Sequence, residues 1–183
     1  MLLYHYYEES NGPFRSISDL PDDKAEEVLK RIRTEKPDIF IAKRPDDYLE
    51  KRRRFEGILR EEFRKKGGSI ERDTPHYLVV EAVPFFEKWY EHPAHIEIDT
   101  ADLDIRTLSF TYGDSHPTFS GRINDGKEYR NRLYTYDEIQ AIIDRYGLPQ
   151  MWNPDFKFGP ECYVEVQMWT DRGLEKYRNT EEL

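Results

Sequence analysis

Residues 108–134 read LSFTYGDSHPTFSGRINDGKEYRNRLY, and the strand pairing they imply decides the fold class. Leu108, Phe110 and Tyr112 alternate with Ser109 and Thr111, the period of an extended segment with two unlike faces. Gly113-Asp114-Ser115 breaks that alternation, Pro117 closes a short polar turn, and Thr118 and Phe119 resume a strand. Asn124-Asp125-Gly126 is a hairpin signal between strands expected at Phe119–Ile123 and Glu128–Tyr134. Hairpins join antiparallel neighbours, so the sheet is expected to be mostly antiparallel.

Further strands are expected at Leu2–Tyr7, His76–Val83, Ala94–Ile98, Ile105–Tyr112 and Cys162–Thr170, with a short buried strand at Ile39–Ala42. In the last long strand Val164, Val166 and Met168 point inward. Helices are expected at three places. The first begins near Pro21 and presents Ala25, Val28, Leu29 and Ile32. The second is capped by Asp46, runs to Lys66 before Gly67-Gly68, and buries Tyr48 or Leu49, Phe55, Leu59 and Phe63. In the third, Thr135 and Glu138 form a capping box ahead of Ile139, Ile142, Ile143 and Tyr146. Residues 84–91 (PFFEKWYE) read as a helical turn or an aromatic lid, and the chain closes with a helical turn and an acidic tail. One α+β domain over residues 1–183 follows, a mostly antiparallel sheet with about three helices on one face.

Charged residues make up 36% of the chain, but thirteen Tyr and ten Phe supply the core material that disordered chains lack. A net charge of −9 argues against nucleic acid or an anionic membrane as a general partner. Cys162 is the lone cysteine, and no apolar run approaches the length of a membrane span. A cytosolic protein without disulfides is the expectation. Residues 43–66 hold ten basic and six acidic residues, with Arg53, Arg60 and Arg64 on one stripe that could receive phosphates. Five acid-before-base pairs four residues apart, such as Asp47–Lys51 and Glu56–Arg60, instead describe a solvated helix that supports itself.

Three sets of residues have the types that do chemistry. His92, His95, His76, His116 and Asp114 contain metal-ligating groups, yet His92 and His95 would fall on opposite faces of a strand. No metal and no cofactor is expected. The GDS triplet at 113–115 resembles the nucleophile block of the GDSL-type hydrolases, with Ser115 as nucleophile. That family places its base in a downstream Asp-x-x-His, whereas all five histidines here lie at or before His116. Leu3-Tyr4-His5-Tyr6 resembles the first strand of some ADP-ribosyltransferases, which implies Ser109, Thr111 and Glu165 as counterparts and a transferase as an alternative function. Over nearly its full length, through LYHYY, GPFRSISDLP, DYLEKRRRFEG, ERDTPHYLVVE, SFTYGDSHPTFS and NDGKEYR, the chain resembles a family of small bacterial proteins that has no assigned activity.

The residues point to a polar, aromatic-walled pocket built on the 109–122 loop. Tyr112, Asp114, Ser115, His116, Thr118 and Arg122 form its wall, with Arg72, His76 and His5 joining from outside. Arg122 and the backbone near Gly113 suit a carboxylate or phosphate, while Asp114 and His116 suit proton exchange. A small anionic ligand is the expected partner. A homo-oligomer or a protein-binding module presenting Phe85, Phe86, Trp89 and Tyr90 is the alternative.

Overall fold

A computed structural model describes residues 1–178, in which five strands make one antiparallel sheet. Strand β1 is Leu2–Glu8, β2 His76–Val80, β3 Pro93–Asp99, β4 Leu108–Tyr112 and β5 Val164–Met168. They lie in the order β3-β1-β2-β5-β4. The α+β class and the antiparallel sheet are as the sequence implies. The acidic tail expected at 179–183 lies outside the described residues.

Register sorts the side chains. Leu3 stands opposite Val80 and Ile98, while Leu78 and Phe110 flank Val166. This face carries the main core, with Leu108, Tyr112, Val164 and Met168 all fully buried. Helix α4 (Tyr136–Tyr146) closes it with Ile139 and Ile142, and its Thr135–Glu138 capping box forms as expected. Each such side chain contributes about 1.5–3 kcal/mol by leaving water.

The opposite face is different in kind. Tyr77, Gln167 and Ser109 make one cross-strand row, and Val79, Glu165 and Thr111 make the next. Helix α2 (Tyr48–Lys65) crosses these rows, setting Leu59 and Phe63 on Trp169 and Glu56 under the Tyr77 hydroxyl at 3.3 Å. Helix α1 (Asp22–Glu35) packs in turn on α2 through Ala25, Leu29 and Leu49. Helices thus cover both faces of the sheet, not one. The reason is visible in β5, whose five residues are all buried, the outward-reading Glu165 and Gln167 included.

Several boundaries differ from expectation. The hairpin around Asn124-Asp125-Gly126 does not form. Ser115–Phe119 is a short helix, α3, because Asp114 caps it by accepting the His116 N–H at 2.7 Å and Pro117 is tolerated in a first turn. Asp125 is held by Arg130 through two bonds of 3.0 and 2.7 Å, so the NDG segment serves an ion pair. Of the second expected strand only Tyr134 remains, exchanging backbone bonds with Phe110. Residues 40–43 form a 3-10 turn in place of the short strand, and 84–89 form another. Strand β2 stops at Val80, because Glu81 adopts a left-handed backbone (φ 58°).

Six α-helices occur among the described residues, twice the expected number. Those beyond the three are short: α3, α5 (Pro149–Trp152) and α6 (Glu175–Arg178), the last being the closing helical turn that the sequence implies. Asp47, not Asp46, sits at the cap of α2, while Asp46 pairs with Arg33. Of the five expected i,i+4 pairs on α2, Asp47–Lys51 forms, whereas Glu56 turns inward to Arg52 at 3.0 Å. None of the helices described is long and apolar enough to cross a membrane.

Candidate functional site

The buried polar face begins at Trp169. Its indole N–H donates to Ser109 Oγ at 2.9 Å, and Ser109 passes its own proton to Gln167 Oε1 at 2.7 Å. An indole nitrogen is a donor only, so the direction of the chain is fixed from this end. The Gln167 amide nitrogen therefore faces Glu165 Oε1 at 2.9 Å and Thr111 Oγ1 at 3.3 Å. Thr111 in turn donates to the Gly113 carbonyl at 2.8 Å.

Glu165 is the unusual group. The backbone N–H and hydroxyl of Ser115, at the start of α3, also donate to it, and donors favour the charged carboxylate. Burial and the neighbouring negative charge of Asp114 outweigh them and push Glu165 up to about 8. A carboxyl that gives up its proton less readily than a solvated glutamate therefore stands beside a second carboxyl. Asp114 accepts from the His116 N–H and, on its other side, from the Tyr163 phenol, whose own proton is held far more tightly than usual by burial.

His116 is the outermost member. Its ring stands edge-on to Phe55 of α2, with centroids 4.7 Å apart. Burial lowers its affinity for a proton, Asp114 raises it, and the charges of Arg122, Arg44 and Lys51 lower it again. Charges from three separate segments thus act on one imidazole, that of Lys51 while it is paired with Asp47. Arg44 is seated by the rings of Phe40, Tyr48 and Trp89, at 4.6–5.3 Å from their centroids. Arg122 is exposed, and among the described residues its guanidinium makes no ion pair.

The turn that aims these groups depends on Gly113. Its φ is 105°, and a Cβ there would come within 3.2 Å of Glu161 Cγ. Gly113→Ala is accordingly expected to cost about 1–3 kcal/mol, read as a lowered urea midpoint with an unchanged m-value. Full wild-type stability in that variant would show that the turn is not constrained.

The structure gathers some of the anticipated residues and separates the rest. Asp114, Ser115 and His116 cluster, Thr118 is buried in the same helix, and Arg122 acts on His116 through its charge. Tyr112 points to the other face and donates to the Gly147 carbonyl at 2.7 Å. His5 also lies on that other face, stacked on Phe14 at 4.2 Å. There Nδ1 donates to the Tyr77 carbonyl and Nε2 accepts the Phe14 N–H, each at 2.9 Å, so His5 is neutral, its affinity for protons cut by burial to about 4. Ser109, Thr111 and Glu165, the transferase-like counterparts, do share one face, with the sheet between them and His5.

Arg72 and His76 form a separate knot. Arg72 bridges Asp19 and Asp171 at 2.6 Å each, and His76 Nε2 meets Asp171 at 2.8 Å. Phe85, Phe86 and Trp89 pack on one another and on Phe40 and Tyr163, leaving them half-buried. Among the described residues no three His, Cys, Asp or Glu groups are placed to hold a metal ion.

Sequence reasoning did not place Gln167, Tyr163, Arg44 and Lys51 at the site, and it named Glu165 only by resemblance. A signal existed in α2: Glu56 occupies the middle of the buried stripe Leu49, Phe55, Leu59 and Phe63. A carboxylate there requires polar groups on the surface the helix covers. No protein-family model matches the chain, and neither a curated protein nor a solved structure matches it.

Proposed function

We propose that the chain binds a small phosphate- or carboxylate-bearing ligand over α3, and that the Asp114–Glu165 pair exchanges a proton with it. The observations that support this reading are the charges of Arg122, Arg44 and Lys51 acting on His116 at the start of α3, and beside it a buried carboxyl that holds its proton more tightly than a solvated glutamate. The cations supply attraction for an anion, and Glu165 supplies a proton that an ordinary glutamate would have lost. Asp114 and His116, both partly exposed, are the groups a ligand would meet first, while Ser115 and Glu165 lie behind them. A reducing, cytosolic setting belongs to the same reading, in line with the buried, unpaired Cys162.

Thermal-shift titration with inorganic phosphate, small organic phosphates and small carboxylates tests the binding half. A ligand present at a hundredfold excess over its Kd contributes about 2.7 kcal/mol, or roughly 5–10 °C for a chain of this size. Arg122→Ala is expected to remove most of that shift. The reading fails if none of these anions raises the melting temperature, or if Arg122→Ala responds as the wild type does.

A further inference from the structure

The two edges of the sheet are treated differently. Strand β4 is covered, because Phe110 and Tyr134 exchange backbone bonds of 2.9 and 2.8 Å across its outer side. Strand β3 pairs with β1 alone, over all seven of its residues, and its outer side is unpaired among the described residues. Open strands of this length are templates for another strand.

We infer that this edge receives a second copy of the chain, joining two sheets across a two-fold axis through β3. The register follows from the backbone. Thr100 N–H donates to the Met1 carbonyl and Glu9 N–H to the His92 carbonyl, which places the even-numbered residues of β3 in hydrogen-bonded pairs with β1. His95, Glu97 and Asp99 therefore turn their N–H and C=O groups outward. Pro93, which lacks an N–H, sits at the first position, where a proline costs least.

An antiparallel partner must set outward residues against outward residues. Centred on Ile96, that arrangement puts His95 opposite the partner's Glu97 and Glu97 opposite the partner's His95, with the two Ile96 side chains meeting at the axis. Centring it one residue later sets Glu97 against its own copy, and one residue earlier sets His95 against its own copy. Two carboxylates facing each other across strands are unfavourable, and the earlier register sets Glu97 against Pro93, which has no N–H to donate, so the first register is selected. The faces also agree. His95 and Glu97 lie on the Tyr4–Tyr6 side, with His95 5.4 and 5.6 Å from those rings, while Ile96 packs against the main core on the other. The dimer would extend both faces without burying a like-charged pair.

Charged side chains on an edge also serve to keep it solitary, and the test separates the two cases. Light scattering coupled to size exclusion, over a dilution series, is expected to give twice the 22.0 kDa chain mass. Glu97→Pro removes an outward N–H and leaves the β1 ladder intact, so it is expected to weaken association at least tenfold with an unchanged circular dichroism spectrum. His95→Glu is expected to do the same through repulsion. The double variant His95→Glu, Glu97→Arg restores opposite charges and is expected to dimerise again. A monomer at every concentration overturns the inference, as does a dimer that Glu97→Pro leaves intact or a charge swap that restores nothing.

Discussion

Replacing Arg130 with methionine is expected to lower stability by about 3–5 kcal/mol, the cost of leaving a buried carboxylate without its partner. Glu161 is fully buried and sits against Arg130, itself 8% exposed. Among the described residues the only other cation in reach is Lys127, at 3.3 Å. Arg130 also grips Asp125 through two bonds, so its loss releases the 120–134 segment that lies beside β4. Asn153 sets the backbone of this corner: it donates to the Gly159 and Glu161 carbonyls at 2.9 and 2.6 Å and accepts the Phe158 N–H at 2.8 Å. Removing both charges together, as Arg130→Met with Glu161→Gln, is expected to recover most of the loss, because no uncompensated charge then remains. Urea denaturation of the two single variants and the double variant measures the coupling. A cost below about 1 kcal/mol for Arg130→Met would mean that water reaches Glu161.

Glu165→Gln is expected to stabilise the protein at pH 8 and to change little at pH 5. In the fold Glu165 keeps its proton up to about 8, because burial and Asp114 oppose its ionisation, whereas the unfolded chain releases the proton near 4.5. Between those values unfolding releases a proton, so the stability contributed by this group is complete below the lower value and lost as pH rises through the upper one. The slope is at most about 1.4 kcal/mol per pH unit. A glutamine has no proton to lose and avoids that penalty. Comparing the two proteins at each pH cancels the contributions of His5, His76, Asp125 and Asp171. Chemical denaturation at pH 5, 6.5 and 8 supplies the comparison. Parallel pH profiles for the two proteins would show that Glu165 ionises as an ordinary glutamate.

Much of the frame was legible in the residues because period and capping are local. The alternation of Val164, Val166 and Met168, the apolar face of α4 and its capping box all rest on neighbours within a few positions. What failed was decided at long range. The NDG segment carries a strong turn signal, but Arg130 takes Asp125 and α3 consumes the residues that would have made the first strand. Glu165 and Gln167 alternate with apolar residues and therefore read as solvent-facing, and nothing within ten positions announces that α2 covers them. His5 and Tyr112 carried the right chemistry on the wrong face, a matter settled only by register. Asp114, Ser115 and His116 were legible as a cluster because a cap and its helix keep consecutive residues together.

The most direct test of the site is the titration of the Glu165 carboxyl itself, followed by carbon-detected NMR on selectively labelled protein. The structure requires its carboxyl signal to hold the protonated value through neutrality and to move near pH 8. A signal that has already moved by about pH 5, as a solvated glutamate's does, would contradict it.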